Sequence, residues 1–140
     1  MSGSAVRIWI DGGSRGNPGP SAIGVVVEDA RGATLATVSE TIGVATNNVA
    51  EYKALLAGLD KAAQLGADEV EVVSDSELMV RQMLGQYRVK SAGLRPLFAE
   101  AKRKASGFGR FNIRHTGREH NAAADGLVNA ALDESEAAGL

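Results

Sequence analysis

The chain has 140 residues and no cysteine. That excludes disulfides, thiolate zinc sites and cysteine nucleophiles, and it is compatible with a reducing compartment, so a cytoplasmic location is expected. Its apolar runs are far too short to span a bilayer, so no membrane association is expected. The first residues, Met1-Ser2-Gly3-Ser4-Ala5, carry neither a charged nor an apolar segment, and no signal peptide is expected. There is no internal repeat and no low-complexity block. There is also no basic excess: the net charge is −2, which is unlike the usual nucleic-acid-binding domain. With 44% hydrophobic and 23% charged residues, the chain reads as one ordinary globular domain with a sizeable core.

The charge is unevenly placed. Arg81, Arg88, Lys90, Arg95, Lys102, Arg103, Lys104, Arg110, Arg114 and Arg118 all follow Asp75 and precede Asp125, while the N-terminal half is the more acidic. A local basic face can bind phosphates although the total is near neutral. For any single Lys or Arg, a solvated mixed-charge surface is the plainer reading.

Hydrophobic periodicity and turn residues predict the order β-β-β-α-β-α-α-β-α. Strands are expected at residues 6–11, 22–28, 33–41, 70–74 and 111–115. Gly12 to Pro20 reads as a loop by composition. A helix capped by Thr46, Asn47 or Asn48 carries Leu55, Leu56 and Leu59 and stops at Gly66. Short helices follow Ser76 and Pro96, and a last one runs over 121–132. Residues 133–140 are expected to fray or to begin a linker, so the domain is placed at 1–132. An antiparallel meander leading into crossover units implies an α/β fold, a five-stranded mixed sheet with helices on both faces.

Four carboxylates sit at the junctions of this pattern. Asp11 closes the run Val6-Arg7-Ile8-Trp9-Ile10, and Asp75 closes Val70-Glu71-Val72-Val73-Ser74. Glu51 and Asp125 lie near the starts of helices. In such a sheet, sites form beyond strand ends where connections change, so the four can converge. Clustered carboxylates raise one another's pKa, and hard divalent cations such as Mg²⁺ or Mn²⁺ relieve that conflict. Each residue alone has a plainer role: Asp75 as a helix cap, Asp11 as a turn former, Asp125 as a surface residue, Glu51 as a helix-dipole partner.

The segments Asp11-Gly12-Gly13-Ser14-Arg15-Gly16-Asn17-Pro18-Gly19-Pro20, Thr46-Asn47-Asn48-Val49-Ala50-Glu51, Val73-Ser74-Asp75-Ser76 and Asn121-Ala122-Ala123-Ala124-Asp125, in this order, resemble type 1 ribonuclease H. The likeness covers Val6 to about Leu132. It implies a ribonuclease H-like fold and metal-dependent cleavage of the RNA strand of RNA–DNA hybrids, leaving 5′-phosphate and 3′-hydroxyl ends. Two Mg²⁺ or Mn²⁺ ions would be held by Asp11, Glu51, Asp75 and Asp125, with Asp11 shared, Glu51 and Asp75 completing one ion and Asp125 the other. Gly13, Asn17, Asn47 and Asn48 match positions that contact the minor groove, where RNA displays its 2′-hydroxyls. Turn and capping chemistry is the alternative for each of them. The glycines after Asp11 are not a P-loop, because no Lys-Ser/Thr follows.

Two residues compete for an assisting role near the last carboxylate. His115 has the family spacing to Asp125, or else it is a strand residue. Arg118 fits a subgroup reading H-x-x-R-E-x-N before that Asp. The chain also departs from the family. Val44 stands where many members place a phosphate-binding Arg beside Thr46, and Glu77 stands where a neutral amide is common. The basic, Trp-rich protrusion is missing, and Gln86-Tyr87-Arg88-Val89-Lys90 takes its place. Tyr87 either stacks on a DNA sugar or packs on the next helix, and Lys90 is a candidate phosphate partner. These departures suggest weak, salt-sensitive binding and slow cleavage of double-stranded RNA. A monomer, free or as a domain of a longer protein, is expected. A non-catalytic hybrid-binding module would be favoured by a lost carboxylate, and none is lost. A transposase or integrase core would have different spacing and a strongly basic chain.

Overall fold

The structure, a computed structural model, describes residues 4–139. Strands β1 (Ala5–Ser14), β2 (Gly19–Asp29) and β3 (Thr34–Ala45) precede helix α1 (Asn47–Gln64). Then come β4 (Glu69–Ser74), α2 (Glu77–Met83), α3 (Arg95–Ala105), β5 (Arg110–His115), a 3-10 turn at Arg118–His120 and α4 (Ala122–Ala137). The sheet order is β3-β2-β1-β4-β5. The β1–β2 and β2–β3 pairs are antiparallel, and the β1–β4 and β4–β5 pairs are parallel. The central strand β1 therefore has an antiparallel neighbour on one side and a parallel one on the other, the change of connection beyond which sites form.

Side chains alternate across the sheet. Val6, Ile8 and Ile10 of β1 point to one face, where they join Val25, Val27, Val72 and Ile113 under Tyr52, Leu55 and Leu59 of α1 and Met79 of α2. The other face carries a smaller cluster of Ala22 with Val128, Ala131 and Leu132 of α4. Tyr52 is fully buried, and its hydroxyl donates to Gln82 Oε1 at 2.6 Å, so its one polar atom is satisfied.

The structure extends several elements beyond the sequence expectation. The stretch Gly12 to Pro20 is mostly strand: Gly12, Gly13 and Ser14 pair with Ile23, Ala22 and Ser21, which leaves only residues 15–18 as the turn. Glycine signals a loop locally, but here it answers a packing need. An added Cβ at Gly12 would run into the backbone of Ala50, at 2.6 Å from the Glu51 nitrogen, and one at Gly24 would run into the Ala124 carbonyl. Strand β3 likewise reaches Ala45 rather than Thr41. Finally, α4 continues five residues past Leu132 to Ala137. Residues 133–137 are thus helical, with Arg15 paired to Asp133 and Glu136.

Candidate active site

The two glycine contacts bring the acidic residues together. Gly12 lies on the α1 face and lets the first turns of α1 rest directly on β1, so the residue after Ala50, Glu51, reaches the strand end. Gly24 is the cross-strand partner of Asp11 and lets the first turn of α4 rest on β2, so the residue after Ala124, Asp125, arrives beside Asp11. The parallel ladder between β1 and β4 ends at Ile10 and Ser74, which frees Asp11 and Asp75 to face each other just beyond it.

Asp11, Glu51 and Asp75 each offer an oxygen within 4.8 Å of the others. Asp125 lies close enough to Asp11 to raise its carboxyl pKa, and all four line one cleft with Ser14, Asn47, Asn48 and Arg118. For three of these residues the plainer roles are not the ones they take. Ser76, not Asp75, caps α2 by accepting from Met79 N at 3.3 Å. Asp11 lies inside β1 rather than in a turn, and Glu51 lies beyond the first turn of α1.

Asp11 and Glu51 are 6% and 8% exposed. Burial, then the neighbouring Asp75 and Asp125, push the Asp11 carboxyl from 3.8 up to about 7, while Arg118 pulls the other way. Burial, followed by Asp11 and Asp75, raises Glu51 well above the ordinary carboxylate range, although the Gly12 N–H donates to it. One Glu51 oxygen, Oε2, is buried without a hydrogen-bond partner. Such a group is costly unless something satisfies it. An oxygen-only, converging, under-satisfied carboxylate set suits a hard divalent cation.

Asn121 was not among the site residues that sequence reasoning selected. It is almost fully buried, and its Nδ2 donates to the Ile10 carbonyl at 2.8 Å and to Asp75 Oδ2 at 3.5 Å. It thus joins the start of α4 to both carboxylate-bearing strand ends. Its place in the motif was visible, but its partners lie 111 and 46 positions away and leave no local signal.

The amide-bearing residues form a linked rim. Asn47 Oδ1 accepts from Ser14 N at 2.9 Å, and Asn17 Oδ1 accepts from Asn47 N at 3.0 Å. Thr46 caps α1, its hydroxyl accepting from Val49 N at 3.2 Å. Gly13, Asn47 and Asn48 line the cleft. Asn48 also borders a second groove that contains Tyr87 and Lys90. Tyr87 is half exposed, and the Arg81 guanidinium covers its ring at 5.4 Å. Arg81 also pairs with Glu77 at 2.9 Å, so the charge of Glu77 is compensated. Val44 is 75% exposed at the end of β3. Arg118 lines the acidic cleft, whereas His115 does not and lies exposed at the end of β5.

Comparison with known proteins agrees with this geometry. The reverse transcriptase-like family model matches residues 10–131. Ribonuclease HI of Halobacterium salinarum is 42% identical over 95% of this chain and 67% of its own length. The chain belongs to the ribonuclease HI family. The crystal structure of ribonuclease H1 from Halobacterium salinarum superposes with a TM-score of 0.91, at 42% identity over 93% of this chain and 98% of that one. That of LC11 ribonuclease H1, solved in complex with an RNA/DNA hybrid, has a TM-score of 0.88 at 46% identity, over 93% and 98% of the two chains. A bifunctional protein of Mycobacterium tuberculosis is 50% identical over 91% of this chain, which spans only 35% of that relative's length. Among the described residues, no helix is long and apolar enough to cross a membrane.

Proposed function

We propose that this ribonuclease HI family member hydrolyses the RNA strand of RNA–DNA hybrids, giving 5′-phosphate and 3′-hydroxyl ends. The observation that carries the reading is the convergence of Asp11, Glu51 and Asp75 within 4.8 Å, with Asp125 beside them. These residues would hold two divalent ions, Mg²⁺ or Mn²⁺, with Asp11 shared between them. When bound, such ions supply an activated water and a counter-charge for the leaving oxygen. The buried, unpartnered Glu51 Oε2 and the raised Asp11 carboxyl fit that requirement.

Substrate choice falls to the rim. The oxygens of Asn17 and Asn47 are engaged by backbone N–H groups, so their amide nitrogens remain as outward donors. Donors at the edge of a carboxylate cleft suit a ribose 2′-hydroxyl in a minor groove, which DNA does not offer. Gly13 and Asn48 share that edge, and Thr46 fixes the helix that carries it. Tyr87 and Lys90, in the adjoining groove, would receive the DNA strand, with the aromatic face against a sugar and the ammonium on a phosphate. Arg118, which lines the cleft, would act at the reacting phosphate; His115 would need to move to do so. With Val44 in place of a cation, the DNA-phosphate pocket is weak, so slow Mn²⁺-dependent cleavage of double-stranded RNA belongs to the same proposal. The domain at 1–132 would act as a monomer or within a longer protein, as the length of the mycobacterial relative suggests.

The test is incubation with an end-labelled hybrid in Mg²⁺, Mn²⁺ or EDTA, followed by analysis of the new ends. The expected products carry 5′-phosphate and 3′-hydroxyl and form only with metal. EDTA-resistant cleavage or 2′,3′-cyclic phosphate ends would refute the proposal.

A further inference from the structure

Arg15, in the turn after β1, reaches across the mouth of the cleft to the outer half of α4. Its guanidinium binds the Asp133 carboxylate at 2.7 Å and the Glu136 carboxylate, and its Nη2 also donates to Asn129 Oδ1 at 3.4 Å. The opposite end of the same amide, Asn129 Nδ2, donates to Asp125 Oδ2 at 3.3 Å and to the Asp125 carbonyl at 3.2 Å. The two ends of an asparagine amide are chemically unlike: one accepts and the other donates. Arginine has donors only, so Arg15 can engage only the oxygen of Asn129. Arg15 on one side and the two Asp125 acceptors on the other thus select the same orientation, and Arg15 anchors Asn129 in it.

We infer that Arg15 and Asn129 are positioning residues that aim the Asp125 carboxylate into the cleft, with Asp133 and Glu136 holding Arg15 in place. The inference rests on the proposed role of Asp125 as a metal ligand. It gives a function to the last turns of α4, which carry Asp133 and Glu136. It also couples the turn bearing Asn17 to the helix bearing Asp125, because Arg15 N donates to the Pro20 carbonyl at 2.8 Å and closes that turn. The ion pairs are partly exposed and of the kind that adds little to stability, so their removal separates positioning from folding.

The experiment is a double-mutant cycle with Arg15→Ala and Asn129→Ala, read by calorimetric Mn²⁺ binding without substrate and by kcat and KM on a hybrid. A further variant, Asp133→Asn with Glu136→Gln, is measured in parallel. Each single variant is expected to weaken Mn²⁺ binding severalfold. Asn129→Ala is expected to lower kcat more than it raises KM. The double variant should be no worse in Mn²⁺ binding than Asn129→Ala alone, since both act through one contact. The Asp133→Asn, Glu136→Gln variant should weaken Mn²⁺ binding with its melting temperature nearly unchanged. Unchanged Mn²⁺ affinity in both single variants, or additive losses in the double, would overturn the inference. If wild type binds Mn²⁺ but leaves the hybrid intact, the proposed activity fails, while the calorimetric cycle still decides the positioning role.

Discussion

At the scale of single residues, Asp11 carries the greatest electrostatic burden. It is buried in the central strand beside Asp75 and Asp125, and burial and these neighbours push its carboxyl from 3.8 up to about 7. In the unfolded chain the proton leaves at the lower value, so between the two values the folded state holds the extra proton. Folding stability therefore falls as pH rises across that window, and the loss is complete above about 7. Glu51 is shifted in the same direction. Asp11→Asn removes the charge in a nearly isosteric way. In EDTA it should melt higher than wild type at neutral pH, with the gap closing toward about pH 4. Thermal melts of both proteins across that range decide it; a gap independent of pH would contradict the assignment. The same variant should lose roughly 10²–10³-fold or more in turnover, the scale seen when one electrostatic group of a reacting site is removed, while still binding hybrid. Activity within severalfold of wild type would refute its role. The acidic residues were legible in sequence because each lies in a spaced motif beside an apolar run or a helix start. Arg15, Asn121 and Asn129 were not, since Arg15 and Asn121 find their partners far along the chain and only the fold brings Arg15 onto Asn129.

The elements meet the site through two glycines. Gly12 seats α1 on β1 and Gly24 seats α4 on β2, and in each case the next helical residue past the contact is a carboxylate. Gly12→Ala and Gly24→Ala both force a Cβ into helix backbone. Each should cost about 1–3 kcal/mol, or roughly 3–10 °C in melting temperature, and should reduce activity by displacing Glu51 or Asp125. Gly126→Ala is the contrast. Gly126 sits in α4 with open space around it, so alanine should raise the melting temperature by relieving the helix-interior cost of glycine, about 1 kcal/mol. If all three variants behaved alike, the seating role would be wrong. The order of the elements could be read from periodicity, but the lengths of β1 and β2 could not. Gly, Asn and Pro in 12–20 signal a turn, and that local signal competes with a ladder extending to Ser14 and Ser21. The end of α4 was missed for a similar reason. After Leu132 no buried apolar residue continues the α4 face, since Ala137 is exposed, and the pairing with Arg15 leaves no local signal.

On the scale of the whole molecule, a net charge of −2 must coexist with the proposed binding of a polyanion. Affinity would then depend on a few cations, because Val44 offers none and the basic protrusion is absent. Hybrid binding by Asp11→Asn should be salt-sensitive, each phosphate contact adding ~0.9 to the slope of log affinity against log salt. Lys90→Ala should lower that slope by about one contact and weaken binding alike for all sequences. A flat salt response would contradict this surface.

The most direct test of the account is a time course on three duplexes of one sequence, RNA–DNA hybrid, DNA duplex and RNA duplex, each with Mg²⁺, Mn²⁺ or EDTA. The account predicts rapid metal-dependent cutting of the RNA strand in the hybrid, an inert DNA duplex and slow cutting of the RNA duplex with Mn²⁺. A DNA duplex cut as fast as the hybrid, or a hybrid left intact in both metals, would contradict it.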